Sequence, residues 1–195
     1  NPQFIRNICT SAHIHHGKCI SSNSRIMLAD GSIKTAREIF ENVSKNGQIY
    51  EENEDHTVLI PKEQITVYSL NKETGKIESK PIRYVWRLKG GDTIKIKLRN
   101  GFEISTTPQH KYVVYRNGFV DVEAKDLKIG DRIVCAEKLW LSQINARYID
   151  IGNQLMLLNK TLEDHNELAY LEISKIKSSF EELVYDFTIP QNHNF

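Results

Sequence analysis

The chain has 195 residues, 39% of them hydrophobic and 26% charged, and its 26 basic and 25 acidic side chains leave a net charge of +1. That length suits one globular domain of ordinary size with a short appendage. The charge balance gives no bulk electrostatic reason to bind nucleic acid or a membrane surface, no apolar run approaches the roughly 18 residues of a membrane span, and no secretory leader is visible at the amino terminus.

Residues 4–12 can form a strand, which runs into His13, His15, His16, Gly17 and Lys18. A strand ending in Gly-Lys is half of a phosphate-binding loop, which next requires a Ser or Thr and then a helix. Cys19 follows instead, with turn residues behind it, so the loop is interrupted. From Cys19 onward the pattern is mainly β. Residues 25–29 read as a strand, Asp30-Gly31 as a hairpin turn, and 32–34 as the return strand. Residues 35–40 suit a short helix, with Thr35 as its cap and Glu38 three positions on. Residues 41–63 read as a polar, irregular insertion. Strands are predicted at 65–70, over 76–88 as one or two pieces, and at 93–98, where alternation is clean; Gly90-Gly91 reads as the turn before the last. Asn100-Gly101 leads into 102–105. Residues 112–115 and 119–122 form a hairpin, 124–131 a turn of helix or loop, and 132–135 a strand. Residues 136–170 show no clear period and read as a second insertion, with closing strands at 171–176 and 183–189. Many short strands with few helices predict an all-β domain.

Three cysteines without tight spacing, Cys9, Cys19 and Cys135, argue against a disulfide framework and for a reducing, cytoplasmic setting. With no CxxC pair, neither a structural zinc nor any cofactor is expected. Cys19 is a strong intrinsic nucleophile, and its chain neighbour is the Lys18 carbonyl. Attack there would turn an amide into a thioester through a five-membered ring, provided that the resonance-stabilised bond is distorted or polarised. Free cysteines are also common as small core residues. Thr107 and His110, three residues apart at a strand end with Pro108 between them, can aim at one point. The imidazole can hold a backbone N–H and later protonate it, and the hydroxyl can bond the same peptide or fix the loop. Asp186 lies in an apolar strand, where an unpaired carboxylate is costly; it serves as acid or base, or in an ordinary salt bridge. His193 belongs to a polar tail. His13, His15 and His16 could hold an adventitious metal or form an exposed appendage.

Read together, these pieces resemble an intein, a self-splicing domain of the Hedgehog/intein (Hint) fold. Residues 19–34 look like the family's amino-terminal splicing motif, 101–114 like its Thr-x-x-His motif, 126–131 like a recurrent Hint segment, and 184–195 like its penultimate motif. The resemblance implies a compact, horseshoe-like disc of many short strands with one or two short helices. It implies an N-extein at 1–18 and a splicing domain at 19–195, with insertions at 41–63 and 136–170. It further implies single-turnover autocatalytic splicing begun by an N-to-S acyl shift of Cys19 at the Lys18–Cys19 bond. Thr107 and His110 would assist that shift, Asp186 would aid it and the transfer between junctions, and His193 would support asparagine cyclisation. The stretch between His110 and the closing strands is too short for a homing endonuclease, which marks a mini-intein. The family's last motif, ending in His and Asn, is expected to be missing, so a complementary carboxy-terminal intein fragment with its C-extein would be the partner.

The leader, residues 5–18, resembles the phosphate loop of archaeal or eukaryotic elongation factor 2, with His15 where that family usually has Asp. The implied host is such a GTPase. Competing readings are a Hedgehog-type autoprocessing domain, a non-catalytic β-rich binding module and, weakened by the broken loop, a GTP-binding fragment.

Overall fold

The computed structural model describes residues 19–136 and 168–190 throughout, together with the backbone strands at 10–11, 148–151 and 154–157. In chain order the strands begin with β1 (Thr10–Ser11), β2 (Ile20–Ser21), β3 (Arg25–Met27) and β4 (Ile33–Thr35). Helix α1 (Ala36–Asn46) precedes β5 (Gln48–Glu52), β6 (His56–Ile60), β7 (Thr66–Asn71) and β8 (Lys76–Pro81). There follow β9 (Tyr84–Leu98), β10 (Glu103–Thr106), β11 (Lys111–Tyr115) and β12 (Phe119–Glu123), then a 3-10 turn at Ala124–Asp126. The series closes with β13 (Arg132–Ala136), β14 (Tyr148–Ile151), β15 (Gln154–Leu157) and β16 (Leu168–Thr188). The all-β expectation holds, with one α-helix among the described residues. Of the strand predicted at 4–12, only β1 falls within them, paired with β11.

One large sheet runs β1-β11-β13-β16-β2-β10-β9-β6-β5, with β12 beside β11 and a further pairing of β16 with β9. That last pairing closes a circuit, β9-β10-β2-β16 and back to β9, and β2 is the shortest member of it. The hairpins β3-β4, β7-β8 and β14-β15 stand outside this sheet. Two main apolar clusters form. One joins Ile20, Ile39, Phe40, Val43, Val85, Tyr185 and Phe187 under α1. The other joins Ile96, Leu98, Tyr112, Val114, Ile133, Cys135 and Ile173.

Helix α1 starts where its cap predicts. Glu38 N–H donates to Thr35 Oγ1 at 3.2 Å, and Thr35 N–H donates to Glu38 Oε2 at 2.7 Å, a reciprocal capping box. It does not stop at Phe40, because Val43 extends the buried stripe of Ile39 and Phe40 by one more turn. The irregularity expected over 41–63 is thereby overturned: the segment holds the end of α1 and the antiparallel hairpin β5-β6. Every β5 side chain is exposed, which hid the strand from a hydrophobic pattern, while β6 buries Thr57, Val58 and Leu59.

Gly90-Gly91 is not a turn. Both residues lie inside β9, which pairs with β16 from Tyr84↔Thr188 to Leu98↔Ile173 across one irregularity. The reason for glycine at position 90 is space: a Cβ there would run into the backbone carbonyl of Glu181. The two closing strands predicted at 171–176 and 183–189 are one strand for the same reason, since Phe180↔Asp92 and Glu181↔Gly91 keep the polar middle of β16 paired. Gly90→Ala is expected to cost about 1–3 kcal/mol, the usual range for overpacking, read as a lowered urea midpoint. Residues 136–170, expected to be irregular, contain the end of β13, the β14-β15 hairpin and the first residues of β16; the rest lies outside the described residues.

Candidate active site

Cys19 owes its position to its neighbour Ile20. On one side Ile20 pairs with Thr106 of β10, on the other with Tyr185 of β16, and Ser21 pairs with Val184. Continuing both registers by one residue puts Cys19 between Thr107 and Asp186. Alternation then assigns the faces. Ile20 and Tyr185 belong to the apolar cluster under α1, and the fully buried Thr106 points inward to share a hydrogen bond of 3.0 Å with the Tyr112 hydroxyl. Cys19, Thr107 and Asp186 therefore project from the opposite face. Cys19 is 3% exposed yet joins none of the apolar clusters.

Thr107 clasps the Cys19 backbone. Its Oγ1 accepts from Cys19 N–H at 2.9 Å, its hydroxyl donates to Cys19 O at 3.3 Å, and its own N–H donates to Cys19 O at 2.9 Å. The nitrogen of the Lys18–Cys19 peptide is thus held by a threonine hydroxyl, one of the two groups, with the His110 imidazole, that the sequence offered for this contact. His110 lies one tight turn away, its N–H donating to Thr107 O at 3.0 Å. Across the turn, Lys125 N–H donates to Pro108 O at 3.0 Å and Ala124 N–H to His110 O at 2.7 Å. The imidazole is wholly buried and meets the Tyr112 ring edge-on, centroids 5.3 Å apart.

Asp186 Oδ1 accepts from the N–H of Phe187 at 2.9 Å, and its carboxylate is close enough to act on the thiol. Burial first, and the Asp186 charge second, push the Cys19 pKa well above the ordinary thiol range; both disfavour a thiolate. The thiol is protonated at rest, so its proton must leave during any attack. The folded state also holds this proton more tightly than the unfolded chain. The resulting stabilisation is fully present below the unfolded thiol pKa of about 8.5 and is lost as pH rises from there through the raised folded value. The urea midpoint is expected to fall more between pH 8 and pH 10 in the parent chain than in Cys19→Ala.

Lys18, His193, and the cluster of His13, His15 and His16 lie outside the described residues, as does Cys9. Cys135 is fully buried inside the second apolar cluster. Among the described residues no three His, Cys, Asp or Glu side chains gather as a metal site would require, and no helix is long and apolar enough to cross a membrane. Sequence reasoning missed four buried hydroxyl residues on the strands that carry the site, Ser21, Thr93, Ser105 and Thr106. The alternation of 93–98 sets Thr93 on the face opposite Ile94, Ile96 and Leu98, but nothing local showed that this face is covered at this end.

Comparison with known proteins agrees with this architecture. A sequence model described as the intein splicing domain matches residues 26–195. The structure is similar to the crystal structure of the TvoVMA intein, with a TM-score of 0.68 at 22% identity over 90% of this chain and 89% of that one. It is similar also to the solution structure of the Pab PolII intein, with a TM-score of 0.66 at 29% identity over 90% of this chain and 94% of that one. In sequence it is 40% identical over 140 residues to an elongation factor 2 of Methanopyrus kandleri, covering 71% of this chain and 11% of that protein. It is 32% identical over 161 residues to a probable translation initiation factor IF-2 of Methanocaldococcus jannaschii, covering 82% of this chain and 13% of that protein. The chain therefore spans only a small part of the length of those relatives.

Proposed function

The chain belongs to the family of intein splicing domains, whose immediate partners are their own flanking segments, and we propose that it acts on its own backbone at the Lys18–Cys19 bond by an N-to-S acyl shift. The Cys19 Sγ attacks the Lys18 carbonyl carbon. A C–S bond forms as the C–N bond breaks, and the thiol proton ends on the departing nitrogen. The product is an isomer with a thioester at Lys18 and a free α-amine on Cys19. Residues 1–18 are the N-extein, and their likeness to a phosphate loop, with the match to an elongation factor, supports a translational GTPase as host.

The site residues divide the work. Thr107 holds the amide N–H and so fixes the peptide plane against Sγ, which turns a collision into a positioned attack. Asp186, facing the thiol, takes the proton that the raised pKa retains. His110 delivers a proton to the leaving nitrogen, its buried ring held for that purpose. His193 is assigned to the later step of asparagine cyclisation. The observation that carries this reading is the double grip of the Thr107 side chain on the Cys19 backbone, because a merely structural cysteine gives no reason to chelate this nitrogen.

Dithiothreitol tests it. An external thiol captures the thioester, releases residues 1–18 as a new thioester and leaves residues 19–195 with a free amino-terminal cysteine. Intact-mass measurement is expected to show both fragments accumulating together. An unbroken chain after prolonged incubation at neutral pH would count against the proposal.

A further inference from the structure

The two edges of β11 are used differently. One is taken by β12 along its whole length, from Lys111↔Glu123 to Tyr115↔Phe119. Hydrogen bonds at both ends show which main-chain groups face that way: Ala124 N–H donates to His110 O at 2.7 Å, and Arg116 N–H donates to Gly118 O at 2.9 Å. Main-chain groups alternate from side to side along an antiparallel strand. His110, Tyr112, Val114 and Arg116 therefore turn theirs to β12, and Lys111, Val113 and Tyr115 turn theirs to the other edge. There β13 has a single registered pair, Val114↔Ile133, because it leaves to run beside β16 from Arg132↔Glu172 to Ala136↔Leu168. The beginning of β11 would be an open edge. Strand β1 fills it, with Ser11 opposite Lys111 and Thr10 opposite Tyr112. Ser11 and Lys111 then form the pair that exchanges both main-chain hydrogen bonds, while the Thr10 N–H points away from β11.

Resting on the reading of the junction given above, we propose that this edge of β11 is the docking site of the N-extein, and that Ser11 is a positioning residue held there through its main chain. The mode is strand addition, in which backbone hydrogen bonds supply the grip and the docked side chain is free to vary. The ligand is thus an extended peptide with an N–H at position 11, whatever its side chain. The place of the edge gives it a role. Lys111 follows His110 directly, and Cys19 is clasped by Thr107 at the other end of the same turn. The segment from Ser11 to Cys19 is therefore pinned at both ends across the Thr107–His110 turn. Pinning both ends of a segment removes freedom that its members would otherwise have. The Lys18 carbonyl, which belongs to that segment, then meets the Cys19 sulfur in a narrower range of positions, and a larger share of encounters are productive. Ser11 does not touch the reacting atoms; it acts through the chain that joins it to Cys19.

The test compares three full-length chains with the parent. Ser11→Pro deletes the donor to Lys111 O, Ser11→Ala keeps it, and Thr10→Pro removes an N–H that faces away from β11, a place where an edge strand tolerates proline. Cleavage by dithiothreitol is followed by intact mass. Amide hydrogen exchange at Lys111 is followed by NMR with Cys19→Ala added to each chain, so that no cleavage intervenes. The expected result is a protected Lys111 amide that exchanges about tenfold faster or more in Ser11→Pro. Cleavage is about three- to tenfold slower in Ser11→Pro, the worth of one hydrogen bond, while Ser11→Ala and Thr10→Pro stay near the parent in both measurements. A freely exchanging Lys111 amide without the proline overturns the docking. A parent-like cleavage rate in Ser11→Pro overturns the positioning role and leaves the junction chemistry standing. Equal slowing in Thr10→Pro also overturns it, as the mark of a stiffened chain. Failure of the parent itself to cleave removes the reading on which the positioning role rests, and exchange at Lys111 still decides the docking.

Discussion

Cys19→Ala is expected to leave the Lys18–Cys19 bond intact at every dithiothreitol concentration, a fall of about a thousandfold or more from the parent rate. The reaction has one candidate nucleophile with the correct ring geometry, the side chain next to the carbonyl it attacks. Cys135 cannot stand in, being fully buried in the second apolar cluster among Tyr112, Ile133 and Ile173. The substitution disturbs little else, since Thr107 binds the backbone of residue 19 and not its sulfur. Circular dichroism should therefore be unchanged while release of residues 1–18 stops. Release at the parent rate from Cys19→Ala would identify ordinary hydrolysis or a contaminating protease and would remove Cys19 from the mechanism.

Thr107→Val should slow the same cleavage by about ten- to a hundredfold, with Thr107→Ser close to the parent. Valine reproduces the shape but deletes the acceptor for Cys19 N–H and the donor to Cys19 O. A buried donor left unsatisfied costs about 1–3 kcal/mol, and each 1.36 kcal/mol in a barrier is tenfold in rate. Stability should fall by a similar amount, about 1–3 kcal/mol, because the N–H is orphaned in the folded state as well. Serine separates the effects: it restores both hydrogen bonds while losing only a methyl group. A valine variant that is destabilised but cleaves normally would show that the clasp serves folding alone.

The two substitutions also separate the competing readings. A non-catalytic β module predicts no cleavage in any variant. A Hedgehog-type domain shares the first step, and the match to the intein splicing domain over residues 26–195 favours the splicing assignment over it.

Part of the site could be read locally. The capping box at Thr35 and Glu38, the Asp30-Gly31 and Asn100-Gly101 turns, and the alternation of 93–98 are short-range signals, and each appears where expected. The pairing of Thr107 with His110 around Pro108 is equally local. Elements that depend on distant partners were misread. The β5 strand has no buried face of its own and exists because β6 pairs with it. Gly90-Gly91 has the composition of a turn, yet a second strand passes so close that only glycine fits.

Residue chemistry alone named the candidates: a thiol beside an acyl group, a Thr-x-x-His step, and an acid in an apolar strand. It left open which of them holds the nitrogen, because a hydroxyl and an imidazole can both do so and spacing along the chain does not choose. The fold made that choice by lodging the two-residue strand Ile20–Ser21 between β10 and β16. Residue 19 is then carried into the row of Thr107 and Asp186, with His110 one turn behind. Strand register, set by apolar side chains whose partners lie 80 or more positions away, is a property of the closed sheet and has no counterpart in any local stretch of sequence.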